Sequence, residues 1–272
     1  MKTHFINIVL PLLFSFLSSA LLFSCTEDDT KPDPTAGLVK ISEGYALGAA
    51  AKVEVSGNED LFAGYNSLFF ALYDSVSGER ITDAHIHLHP LMDMHSMSHS
   101  CPVEEPETEA VKELFPAAIM FTMPSGNMGN WSLEVGVHNH SNGLSGKANL
   151  EIDVKSTTPP RIISFQTASG QRYYLSYTFP ENMKVGVNEF EVIAYTFAEG
   201  EFVPAEDLTI NFIPEMPSMD HGSPNNVNPV HRSQGHYQGK ANFTMTGEWR
   251  LNLELMSGTT SLGTKYFDVI VQ

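Results

Sequence analysis

Between Met92 and Cys101 the chain sets Met92, Met94, His95, Met97, His99 and Cys101 within ten residues. With 12 Met, 11 His and 2 Cys in 272 residues, the average composition would put about one such side chain there. Thioether, thiolate and imidazole together select copper, because Met and Cys suit Cu(I) and His serves either oxidation state. Zinc takes Cys and His but has little use for Met. Calcium wants regularly spaced oxygens, which the stretch does not offer. A second loop repeats the theme with Met216, Met219, His221 and His231, and His236 lies just beyond it.

The segment ahead of the first cluster adds imidazoles. In Ala84-His85-Ile86-His87-Leu88-His89, alternation places His85, His87 and His89 on one strand face, about 6.6–7 Å apart, from where they can converge on one ion. The matching face of the second half carries Thr209, Asn211 and Ile213, so such a strand does not need histidine there. His138-Asn139-His140, in a turn, is a weaker candidate. Bland readings compete. Met92, Met216 and Met219 are the kind of flexible side chain that fills gaps over the open end of a core, with His221 satisfied by a backbone carbonyl. The histidine strand can be a solvated polar face, and Glu104 to Glu109 reads as a solvated, flexible acidic segment. Met120, Met123, Met245, Trp131 and Trp249 are expected in the core.

Strands must position these groups. Every second residue is apolar at Trp131, Leu133, Val135 and Val137, and again at Trp249, Leu251, Leu253 and Leu255, as a half-buried strand requires. Strands are also expected over Asp83–His89 and Asp207–Ile213, just before the two clusters. The halves match at a shift of about 120 residues: Asn66–Leu72 with Asn188–Ala194, Met97-Ser98-His99 with Met219-Asp220-His221, and Trp131–Val135 with Trp249–Leu253. Roughly seven short strands per half, with turn residues between them, is the pattern of an immunoglobulin-like sandwich. The expected fold is therefore all-β, with two tandem immunoglobulin-like β-sandwich domains over residues 38–155 and 156–272. The clusters then fall in the connections Pro90 to Pro116 and Pro214 to Gly235, longer than a sandwich needs and so suggestive of function.

Lys2 precedes an apolar run from Phe5 to Leu22 that ends at Leu22-Phe23-Ser24-Cys25, the pattern of a signal peptide over residues 1–24. A transmembrane span is the competing reading, but Pro11 interrupts the run and no basic cluster follows it. Leu22 to Cys25 resembles the lipobox of bacterial lipoproteins, which implies lipidation at Cys25, a stable membrane anchor and a tether over residues 25–37. The expected location is the cell envelope, at the outer membrane, facing the periplasm or the surface. Loss of Lys2 leaves 14 basic against 32 acidic residues, a formal charge of −18. That sign argues against nucleic acid and favours cations. With Cys25 lipidated, Cys101 has no intramolecular partner.

Met216-Pro217-Ser218-Met219-Asp220-His221, then Gly235-His236-Tyr237, then Phe243 to Leu251 with Gly247-Glu248-Trp249, resemble the YtkA-like domain family, which is related to FixH proteins. The resemblance implies a small exported immunoglobulin-like sandwich associated with copper handling or oxidase assembly, and hence a metal-efflux or oxidase-assembly protein as partner. This chain departs from the family in carrying a second copy and in enlarging the first loop with His, Met and Cys. The expectation is a tethered protein that sequesters or hands on copper. Met92, Met94, His95, Met97, His99 and Cys101 would form the first ligand pool, and Met216, Met219, His221 and His236 a weaker one. The alternative is a protein- or glycan-interaction module using exposed aromatics such as Tyr173 and Tyr174. An enzyme is not expected: there is no nucleophile elbow, phosphate-cradling glycine loop or His-Glu-x-x-His spacing.

Overall fold

Period-two patterning becomes antiparallel strand throughout the computed structural model, which describes residues 33–94 and 97–272. The expected signal peptide, Cys25, the first part of the tether and His95 lie outside the described residues. From Pro34 to Gln272 the chain forms one compact unit. Its first sandwich contains β1 (Val39–Ala46), β2 (Ala51–Gly57), β3 (Gly64–Asp74), β4 (Arg80–Ile81) and β5 (Ala84–Asp93). It continues with β6 (Ser98–His99), β7 (Val103–Glu104), β8 (Phe115–Phe121), β9 (Asn130–Asn139) and β10 (Leu144–Ile152). The second contains β11 (Ile162–Gln166), β12 (Arg172–Thr178), β13 (Gly186–Ala198), β14 (Glu201–Pro204) and β15 (Leu208–Met216). It ends with β16 (His221–Gly222), β17 (Val227–Ser233), β18 (His236–Phe243), β19 (Gly247–Ser257) and β20 (Thr260–Val271).

Both sandwiches are wired alike. The larger sheets run β1-β2-β3-β8-β7 and β11-β12-β13-β18-β17, with β4 on β3 and β14 on β13. The smaller sheets run β10-β9-β5-β6 and β16-β15-β19-β20. Each sandwich buries its own apolar core, around Phe70, Phe115, Phe121 and Trp131 in the first and Phe190, Tyr237, Phe243 and Trp249 in the second. Each tryptophan buries its ring and donates its indole N–H to a backbone carbonyl, of Met123 at 2.9 Å and of Met245 at 3.0 Å. A third, small cluster joins the sandwiches: Met120, Ile193 and Tyr195, flanked by Tyr65 and Tyr174.

The two connections expected to be open loops are more regular than that. Strand β5 runs on through Pro90 to Asp93, and β15 through Pro214 to Met216. Proline is tolerated in a strand where its missing N–H would face an unpaired edge. Two residues earlier, on that same edge, the N–H of Leu88 is met by the Glu105 carboxylate at 3.0 Å, and the N–H of Phe212 by Asn228 Oδ1 at 2.9 Å. A side-chain cap and a proline thus close the exposed edge at equivalent places, one of the ways sheets avoid edge pairing. Beyond them the connections cross between sheets: β6 and β16 pair with β5 and β15, while β7 and β17 pair with β8 and β18.

Candidate metal centre

Strand parity decides which candidate ligands can meet an ion. Along β5 the inward positions are Ala84, Ile86, Leu88, Pro90 and Met92, and the outward ones are His85, His87, His89 and Asp93. Met92 is therefore a core residue, 0% exposed opposite Trp131, and by the same parity Met216 is 4% exposed at the end of β15. Neither is a loop ligand as expected; both thioethers fill the end of a hydrophobic core. Cys101 corrects the expectation in the same way. It is 3% exposed within the first core, and burial pushes its thiol well above the usual range, so it stays protonated.

What remains at the hairpin ends is the same in both halves. In the β5–β6 hairpin, the Met94 N–H donates to the Met97 carbonyl at 3.0 Å, and Met97 and His99 are exposed while Met94 leans on the core. In the β15–β16 hairpin, the Met219 N–H donates to the Met216 carbonyl at 3.1 Å, and Met219 and His221 are exposed. Register puts His99 opposite Met92 and His221 opposite Met216. The His221 ring stands edge-on to Trp249, with centroids 6.5 Å apart, and its Nε2 contacts Thr244 Oγ1 at 3.2 Å rather than a backbone carbonyl. Glycine marks the close approach beside the first hairpin: Gly129 has φ +154°, and a Cβ there would lie 2.3 Å from the Asp93 carbonyl oxygen.

The three outward histidines of β5 do not converge on each other. Residues two apart on a strand stand about 7 Å apart, whereas a cross-strand neighbour stands about 4.5–5.5 Å away, so His85 and His89 face residues of β9, while His87, opposite Gly136, meets a carboxylate from the connection just after β7. His87 Nδ1 meets Glu105 at 2.9 Å, and His89 lies opposite Glu134. His85 lies opposite His138, and its Nδ1 is 2.9 Å from His140 Nε2. Three rings thus gather where one was expected to join His87 and His89: centroids are 6.4 Å apart for His85 and His138, 4.8 Å for His85 and His140, and 5.3 Å for His138 and His140. Among the described residues, no three His, Cys, Asp or Glu side chains already stand in the arrangement that would hold a metal ion.

His236 belongs to a different structure altogether. Both its ring nitrogens are engaged, Nε2 with Glu104 and Nδ1 with Glu191, each at 2.9 Å. Burial disfavours the charged ring, but the two carboxylates outweigh it and raise its pKa to about 9. An imidazolium has no lone pair to offer a metal. Glu104 also accepts from the hydroxyls of Tyr65 at 2.8 Å and Tyr195 at 3.0 Å. Burial opposes its ionisation, yet His236 and the two phenols hold it below the usual carboxylate range. A carboxylate from the first sandwich is thereby ringed by three side chains, two of them from the second. The acidic segment is not merely solvated, since Glu104 and Glu105 are both fixed in place; nothing in the run of acids marks which of them will be. His231, from the second loop, lies in β17 with its ring 5.2 Å from that of Tyr237. Tyr173 and Tyr174, expected as exposed aromatics, instead pack on Phe165 and Phe202, with Tyr173 only 6% exposed.

Residues 167–254, most of the second sandwich, match the family model described as YtkA-like. No curated protein matches the chain. Among solved structures it is similar to the crystal structure of the conserved domain protein from Bacillus anthracis, at 11% identity and a TM-score of 0.34, over 89% of this chain and 93% of that one. It is also similar to pT26-6p, at 8% identity and a TM-score of 0.28, over 86% of this chain and 65% of that one. Scores this low bear on neither fold nor function.

Proposed function

We propose that this chain is a lipid-anchored protein of the cell envelope that binds copper and sequesters it or hands it on, without catalysing a reaction. The observation that carries the reading is the repeated hairpin end, which in each half leaves one methionine and one histidine exposed, Met97 with His99 and Met219 with His221. The core does not account for these side chains, since Met92 and Met216 already fill its end. A thioether beside an imidazole is a donor pair suited to Cu(I), and ligands on a short exposed turn let an ion exchange rather than be trapped. Met94, half-buried, and His95 complete the first ligand pool, which Met92 and Cys101 leave, whereas Met216 and His236 leave the second. The YtkA-like match over the second sandwich agrees with an exported copper-handling role, and the partner receiving the ion would be a metal-efflux or oxidase-assembly protein.

The test is competition for Cu(I) against a chromophoric chelator, using the full-length chain and a variant with Met97, His99, Met219 and His221 changed to alanine. Stoichiometric Cu(I) uptake that falls in the variant is the expected result. Equal uptake by both proteins, or none by either, removes the reading. Growth in excess copper, with and without the gene, tests the biological role.

A further inference from the structure

The imidazole triangle on the first sandwich asks for an explanation that the hairpin ends do not supply. His85 comes from β5, His138 from β9 and His140 from the turn just after β9, and all three are accessible, with the His140 side chain 29% exposed. Between His138 and His140 the chain buries Asn139, 1% exposed, whose side chain accepts from the Ser141 N–H at 3.0 Å and reaches the Ala49 carbonyl at 3.4 Å. The turn that presents both rings is therefore anchored in the core beneath it.

Each of these two rings is also held from behind. Asp83 Oδ1 meets His140 Nδ1 at 2.5 Å, and Ser145 Oγ meets His138 Nδ1 at 2.8 Å. With Nδ1 occupied, Nε2 is the remaining ligand atom on each. A carboxylate on the far nitrogen is the arrangement that fixes the tautomer of a metal-binding histidine and raises its basicity. In neutral His140 the Nδ1–H donates to Asp83, so Nε2 is the lone pair that receives the Nδ1–H of His85 at 2.9 Å. Two imidazole nitrogens bound to one ion at about 2.0–2.1 Å would be roughly 2.9 Å apart at a right angle and roughly 3.3 Å apart at the tetrahedral angle. An ion can replace that single hydrogen bond with two coordinate bonds once the two rings turn to aim both lone pairs at it, and His138, whose ring centroid is 6.4 Å from that of His85 and 5.3 Å from that of His140, is the neighbour to supply a third.

Nothing in the fold requires this group. In the second sandwich the pair equivalent to His85 opposite His138 is Thr209 opposite Met256, and that sandwich is built on the same strand order. On an exposed face, three rings gain little from each other's company, and as imidazolium ions they would repel. Three neutral nitrogen donors without sulfur suit a borderline divalent cation rather than Cu(I), and leave a coordination position open for water or an incoming ligand.

We infer that His85, His138 and His140, oriented by Asp83 and Ser145, form a site for a divalent cation of the Cu(II) or Zn(II) kind, separate from the hairpin methionines and not dependent on them. The test titrates Cu(II) chloride and Zn(II) chloride into the full-length chain, purified in detergent without a polyhistidine tag, by calorimetry, with electron paramagnetic resonance of the Cu(II) form. The wild type is expected to take up one ion with nitrogen coupling in the spectrum. Combined His85→Ala, His138→Ala and His140→Ala should abolish that uptake while circular dichroism stays unchanged. Asp83→Asn, which keeps the fold and all three rings, should weaken binding about 10–100-fold. A variant lacking Met97, His99, Met219 and His221 should retain Cu(II) in full. Undiminished uptake by the triple-histidine variant, or no stoichiometric nitrogen-coupled Cu(II) in the wild type, overturns the inference. Cu(I) held at the hairpins would survive that result, and its loss alone would leave this site standing.

Discussion

His236→Gln, read as a function of pH, tests whether this histidine is a structural cation rather than a metal ligand. In the folded chain it keeps its proton to about pH 9, against an ordinary value of 6.5. At about 1.36 kcal/mol per pK unit, holding the proton over that interval is worth about 3 kcal/mol, and the side chain is only 17% exposed, so little of this is lost to solvent screening. The sign follows from linkage. A raised pKa contributes stability that is fully present below about pH 6.5 and is lost as pH climbs through about 9. Of the other groups facing the ring, Glu104 acts in the opposite sense and loses its contribution only as pH falls through its lowered pKa, and the phenols of Tyr65 and Tyr195, pushed up by burial and by Glu104, stay protonated throughout. Glu191, the remaining neighbour, is the second carboxylate on the imidazolium. Urea unfolding of the full-length wild type and His236→Gln, in one-unit steps from pH 5.5 to 9.5, should show a stability gap that shrinks by about 3 kcal/mol as pH rises. A gap that stays flat to within about 1 kcal/mol would refute the imidazolium assignment and return His236 to the pool of neutral, metal-competent histidines.

Glu104→Ala leaves a charged, half-buried His236 short of one carboxylate, and should cost about 3–5 kcal/mol in urea unfolding at pH 6. Met92→Ala, at a site 0% exposed, should cost about 2–5 kcal/mol, whereas Met97→Ala, 57% exposed, should stay within about 0.5 kcal/mol of wild type in the same assay. Cys101 should be inert to a chromogenic disulfide reagent in the native chain and titrate as a free thiol only in denaturant.

Much of this architecture is legible in the residues themselves. The alternation through Trp131–Val137 and Trp249–Leu255 gives the strands that carry each core, and the outward parity of His85, His87 and His89 is as read. The same parity, carried through Pro90, also places Met92 inward with Leu88. Proline is what suggests a break there, and only the sheet edge explains why the strand continues. The partners of the histidines were beyond reach for a different reason. Which residue stands opposite His85 depends on the register between β5 and β9, and one sequence does not encode that register in any local pattern. Glu104 is harder still, because its ligands Tyr65, Tyr195 and His236 are 39, 91 and 132 residues away.

The ring of side chains around Glu104 makes the chain awkward to dissect. Expressing the second sandwich alone would strip His236 of one counter-ion and Tyr195 of its acceptor, so an isolated half is a poorer proxy for the whole than tandem modules usually are. It also ties the fates of distant codons together: in a set of relatives, an acid at position 104 and a histidine at 236 should be gained or lost as a pair.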